Sequence, residues 1–214
     1  MVTYTLEVDI DQTHVGQFNT QGYKLCFASA VATTADASKA SYNLVAYTSQ
    51  VGAKVFIEWT TEYGIAASNS TFSNGVKFNA MTDTVPIDFG QGYKQPADFT
   101  NGIANPDSTA PKNGFLFINE ANAAAAVVYQ KIRSATTQQL AWYPIYISKY
   151  APLPQGTETL IPVVKVAVWF SNAAETGTMI SSFVSKQQEI DLTNNQSRTA
   201  KVSYDGQWKV VQNT

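Results

Sequence analysis

Tyr4, Leu6, Val8 and Ile10 alternate with Thr3, Thr5, Glu7 and Asp9, which puts four apolar side chains on one face of a half-buried strand. The same period of two returns in Tyr23, Leu25 and Phe27, in Asn43, Val45 and Tyr47, and in Val55, Ile57 and Trp59. Val163, Val164, Val166, Val168, Trp169 and Phe170 form the densest β-branched and aromatic run. Further strands are expected at Val76 to Met81, Val85 to Phe89, Phe115 to Ile118, Leu140 to Tyr150, from Met179 through Phe183, and in a last hairpin around Asp205-Gly206. Pro86 and Pro144 remove ladder donors and point to edge strands or bulges. Asp11 to Gln21 reads as a turn or short loop, and Ala28 to Ser41 is too small-sided to anchor a core and reads as a loop. Asn119 to Arg133 is the one helix candidate, with Asn122 as cap, although Val127-Val128-Tyr129 favours a strand over Ala126 to Ile132. About a dozen short strands separated by turns predict an all-β, antiparallel β-sandwich type of fold with at most one short helix.

The run Val55-Phe56-Ile57-Glu58-Trp59, followed by Val85-Pro86-Ile87-Asp88-Phe89, echoes the stretch Leu160 to Leu192. Trp59 and Trp169 lie 110 residues apart, and the two Ile-Asp pairs, at Ile87 and Ile190, lie 103 apart, close to half of the 214-residue chain. This spacing predicts two pseudo-repeated β-rich halves, 1–105 and 106–214, or one continuous domain in which the likeness is accidental. Gly90 to Gly114, dense in Gly and Pro, is the expected linker. If the halves are duplicates, Trp59 and Trp169 are expected at equivalent buried positions.

Charged residues are 14% of the chain, against about 25% in an average protein, so the surface is mostly neutral and polar. A net charge of −2 with scattered Lys and Arg argues against nucleic acid as a partner. No apolar run approaches the roughly 18 residues of a transmembrane span, and the first residues read directly as a strand instead of a signal peptide. A cytoplasmic protein, or one released without a signal peptide, is expected. At the level of fold alone, the polar, aromatic, signal-less β pattern resembles cytosolic defence lectins and small β-rich cytolysins of fungi and bacteria.

Candidate chemistry is sparse. Cys26 is the one cysteine and reads as a packed thiol, and His14, the one histidine, stands in a polar loop without a nucleophile motif. Glu58 with Glu62, or Asp88 with Asp98, could form a catalytic carboxylate pair. Glu7, Asp9 and Asp11 line one strand face and its exit and are the candidate ligands for Ca²⁺; no other cofactor is expected. Trp142, Tyr146 and Tyr150 share one face if their segment is extended, successive rings being about 13 Å apart at roughly 3.3 Å per residue. Such a stripe stacks on sugar rings or sits at a membrane interface, or it fills the core. The expected function is therefore a non-enzymatic, lectin-like carbohydrate-binding protein of defence type. It would meet a glycan or a membrane surface, and a homo-oligomer would add avidity. The alternatives are a membrane-active cytolysin that refolds Ala28 to Ser41 or Ala121 to Val128 on lipid, and a ligand-free structural or storage protein.

Overall fold

Alternation along the chain becomes fourteen strands and one short helix in the computed structural model, which describes residues 1–33, 39–134, 137–149 and 154–213. The first half of the chain gives β1 (Thr3–Ile10), α1 (Gln12–Thr20), β2 (Lys24–Ala32), β3 (Tyr47–Gln50), β4 (Lys54–Ser68), β5 (Val85–Ile87), β6 (Gln91–Gln95) and β7 (Ile103–Pro106). The second gives β8 (Phe115–Asn119), β9 (Ala125–Arg133), β10 (Leu140–Ile147), β11 (Gly156–Ser171), β12 (Gln188–Asp191), β13 (Thr199–Tyr204) and β14 (Trp208–Asn213). One sheet runs β10-β9-β4-β1-β13-β14 with β5 beside β4, and the other runs β3-β2-β11-β8-β6-β7 with β12 beside β11. The inward phases of the two sheets meet in a common core. Leu6, Val8, Ile57 and Trp59 come from one side, and Leu25, Phe27, Phe115, Phe117 and Val168 from the other. The rings of Phe27 and Trp59 touch across the layer with centroids 5.2 Å apart. This is an all-β sandwich, but each sheet is mixed: β1 runs parallel to β13, and β6 parallel to β8. The expected antiparallel type of β-sandwich forms, with parallel pairing in those two places.

The two parallel pairs occupy equivalent places in the two sheets. Raising every strand number by seven, and counting on from β1 after β14, converts the first sheet into the second, pair for pair. The registers agree as well. Tyr63 of β4 faces Ile87 of β5, and 103 residues further on Val166 of β11 faces Ile190 of β12. The β4–β9 ladder breaks between Trp59 and Tyr63, and the β11–β2 ladder breaks between Pro162 and Val166, again 103 residues on. Ile87-Asp88 and Ile190-Asp191 are thus equivalent.

The tryptophans are not. At that spacing Trp59 corresponds to Pro162 and Trp169 to Ala66. Both indoles are 1% exposed, yet Trp59 lies in the central core while Trp169 lies in a smaller cluster on the outer face of the second sheet, with Cys26, Ala28 and Ile180. The equivalent outer cluster of the first sheet holds Ala66, Val127, Tyr129 and Phe78. Register makes Tyr129 the counterpart of Ala28. Each cluster therefore pairs one large ring with one alanine, in opposite order, which fills similar space at native density.

Three local expectations are also corrected. Asn119 to Arg133 forms no helix; Ala125–Arg133 is strand β9 because both of its faces are buried, Ala126 and Val128 against the core and Val127 and Tyr129 against the outer cluster. The helix is instead α1, where Asp11 caps by accepting from the Thr13 backbone N–H at 2.9 Å and Phe18 packs on Phe170 with centroids 4.3 Å apart. The Gly- and Pro-rich stretch read as a linker carries β6 and β7. Each sheet draws strands from both 1–105 and 106–214, so the core is shared between the halves. No helix among the described residues is long and apolar enough to cross a membrane.

Candidate functional site

The aromatic stripe does not form. β10 is an edge strand, as Pro144 implies, but its register slips between Pro144 and Tyr146, leaving Ile145 as an extra residue. A bulge of this kind reverses the phase of everything beyond it. Trp142 consequently faces outward, half-buried against the outer cluster, with the Lys131 ammonium 5.1 Å from its ring centroid. Tyr146 faces inward at 1% exposure, and its hydroxyl donates to Glu158 at 2.8 Å. Tyr150 lies outside the described residues.

The three candidate calcium ligands have other partners. Lys54 and Lys201 bridge Glu7 and Asp9, with Lys201 at 3.0 Å from Glu7 and 2.6 Å from Asp9. Hydrogen bonds from Lys54 and then Lys201 hold the Glu7 carboxyl below its ordinary pKa, and the bond from Lys201 does the same for Asp9. Asp11 is spent on its helix cap. No group of three His, Cys, Asp or Glu side chains able to hold a metal occurs among the described residues.

The remaining candidates separate in the same way. Glu58 receives Arg133 and Glu62 receives Lys131, so these two acids are paired with bases on β9 and not with each other. Asp98 accepts from the Thr100 hydroxyl at 2.8 Å and its backbone N–H at 3.1 Å, which lowers its pKa. His14 stacks on Phe18 and meets Tyr204 edge-on at 5.3 Å. Burial pushes the Cys26 thiol up to about 12.

The largest opening described lies where β4 parts from β9. Pairing between them ends at Trp59 and Ile132, so Lys54 to Glu58 have no ladder partner on that side among the described residues. The gap is a cleft of about 540 Å³, whose lining includes Ser49, Gln50, Phe56, Glu58, Arg133 and Gln138. Phe56 stands in it 57% exposed. Arg133 Nε and Nη2 both donate to Glu58 Oε1, at 2.9 and 2.6 Å, while Arg133 Nη1 donates to the Gln138 carbonyl at 2.6 Å. The guanidinium is thereby locked, and Glu58 is held with its Oε2 turned from these bonds. Ser49 Oγ is buried without a partner among the described residues.

Sequence reasoning passed over Phe56, although a signal existed. It occupies the outward phase of β4, between Lys54 and Glu58, where the alternation calls for a polar residue. A large ring out of phase is the residue to suspect.

Fold and cleft together define a two-sheet all-β protein whose sheets share one strand order, with an open cleft in which an exposed aromatic ring stands among polar and charged side chains. No family model matches the chain, and no curated protein or solved structure is significantly similar to it.

Proposed function

We propose that the protein is a non-enzymatic, lectin-like carbohydrate-binding protein that receives its glycan in the cleft at Phe56. The observation that carries this reading is the exposed Phe56 ring set among hydroxyl, amide and ion-paired groups. A pyranose ring offers an apolar C–H face and a rim of hydroxyls, and it needs an aromatic platform with a few oriented polar groups around it. Glu58, fixed by Arg133, is an acceptor whose position costs little further ordering when a hydroxyl binds it. Gln50, Gln138 and Ser134 supply neutral donors and acceptors.

A glycan array followed by titration of any hit tests the reading. Phe56→Ala is expected to weaken binding at least tenfold, the equivalent of about 1.4 kcal/mol, while Phe56→Trp retains it. Equal binding by Phe56→Ala, or no glycan bound by the folded protein, would sink the proposal. Liposome integrity separates it from the membrane-active reading. Ala28–Ala32 belongs to β2, between β3 and β11, and Ala125–Val128 belongs to β9, between β10 and β4. Releasing either segment onto lipid breaks the ladders of an interior strand, so vesicles are expected to stay intact.

A further inference from the structure

The cleft at Phe56 has a counterpart. The β4–β9 ladder ends beyond its bulge, and so does the β11–β2 ladder, whose last pair is Ile161 with Ala32. Among the described residues, Gly156 to Leu160 of β11 then have no ladder partner on the β2 side, as Lys54 to Glu58 have none on the β9 side. A second cavity, of about 180 Å³, opens there. It is lined among the described residues by Thr33, Lys39, Ser41, Tyr146, Lys149 and Glu158.

The correspondence extends to single residues. Register makes Tyr146 the equivalent of Tyr47, each on the strand that enters the cavity wall. Two residues along, Ser148 matches Ser49, and the spacing of 103 makes Glu158 the match of Val55. In the second half Ser148 Oγ donates to Glu158 Oε2 at 2.5 Å, and Tyr146 donates to Oε1 at 2.8 Å. In the first half Val55 offers no acceptor, in keeping with Ser49 Oγ having no partner among the described residues. The acceptor of the second cavity has moved from the outward position of Glu58 to the inward position of Glu158. Where the first cleft has Phe56, the second has Thr159.

We infer that the cavity at Glu158 is a second carbohydrate site, related to the cleft at Phe56 by the internal duplication and taking a single sugar unit by its hydroxyls alone. The inference rests on the carbohydrate reading of the first cleft. An ionised carboxylate has room for about four hydrogen bonds, and two of those at Glu158 are supplied by protein hydroxyls; the others suit vicinal ring hydroxyls. Lys149, at the exposed rim, supplies a donor, and Thr33 and Ser41 supply hydroxyls. Without an aromatic platform the site discriminates by hydroxyl configuration, because a missing partner leaves a desolvated carboxylate unpaired. The volume is below the roughly 300 Å³ at which drug-sized pockets begin, so a disaccharide does not fit inside it.

Amide chemical shifts of the full chain, titrated separately with methyl α-mannoside, methyl β-galactoside and N-acetylglucosamine, test this. Two sets of shifting amides are expected, one at Ser49, Lys54 to Glu58 and Arg133, the other at Thr33, Ser41 and Glu158. Glu158→Gln and Lys149→Ala should each weaken the second set at least tenfold and leave the first alone; Phe56→Ala should do the reverse. Lys149 is exposed, so loss of fold cannot account for its effect. If only the first set moves, the second site is wrong and the carbohydrate reading stands. If only the second set moves, the Phe56 cleft is wrong and the cavity at Glu158 stands. If neither moves with any of the three sugars, both are overturned.

Discussion

Glu158 keeps a carboxylate largely out of water with two hydroxyls as its protein partners. Desolvation outweighs the bonds from Ser148 and Tyr146 and raises its pKa above the ordinary 4.5. A group whose folded pKa lies above its unfolded value adds stability that is fully present below the unfolded pKa and fades as pH rises through the folded one. Glu158→Gln removes that titration. Its melting temperature relative to the wild type is therefore expected to climb as pH goes from below 4.5 toward neutrality, and parallel curves would refute the assignment. Glu7 and Asp9 act in the opposite sense, since their lowered pKa values give stability that is lost as pH falls through them; present in both proteins, they cancel in the difference. Cys26 yields a second expectation at this scale. Because its thiol is buried and pushed up to about 12, it should resist thiol reagents in the native protein and react only in denaturant. Phe56 was legible as an apolar residue out of phase, whereas nothing in the sequence around Glu158 separates it from a solvated acid. Its burial comes from strands that meet only in the fold.

At the level of elements, proline was an accurate guide and alanine was not. Pro144 sits in edge strand β10, and Pro86 sits in β5, which pairs with β4 alone. The alanine-rich start of β9 looked helical because alanine favours a helix in isolation, but buried faces on both sides decide for a strand. The bulge at Ile145 was the least legible feature. A single unpaired residue reverses a strand's phase without leaving a compositional mark, and it separated Trp142 from Tyr146. The two buried tryptophans test the packing. Trp59→Ala and Trp169→Ala are each expected to cost about 3 to 5 kcal/mol in denaturant unfolding, the usual range for a large core aromatic. A cost under 1 kcal/mol for Trp169→Ala would mean that its outer cluster does not pack as described.

For the whole molecule, the repeat was legible in Ile87-Asp88 and Ile190-Asp191 but misread in the tryptophans, which lie seven residues off the true spacing. What no periodicity could show is that the halves interleave. Local alternation specifies a strand and its buried face, while the partner of each strand is set by the whole topology. Because both sheets are built from both halves, fragments 1–110 and 111–214 should each lack a cooperative melt alone, and mixing them should restore one in circular dichroism. A cooperative transition in either fragment by itself would contradict a shared core.

The pairing of β1 with β13, from Thr5 with Thr199 to Ile10 with Tyr204, also sets a timetable for biosynthesis. One side of the first strand can be covered by β4 early, but the other waits for Thr199–Tyr204, translated much later. At about 5 to 20 residues per second, ribosomal synthesis leaves that edge open for roughly 10 to 40 s. For this interval the nascent chain offers an unsatisfied row of backbone groups to any neighbouring polypeptide. Lys54 and the acids Glu7 and Asp9, placed on the outer face of the same two strands, keep that temporary edge charged until Lys201 arrives to complete the set.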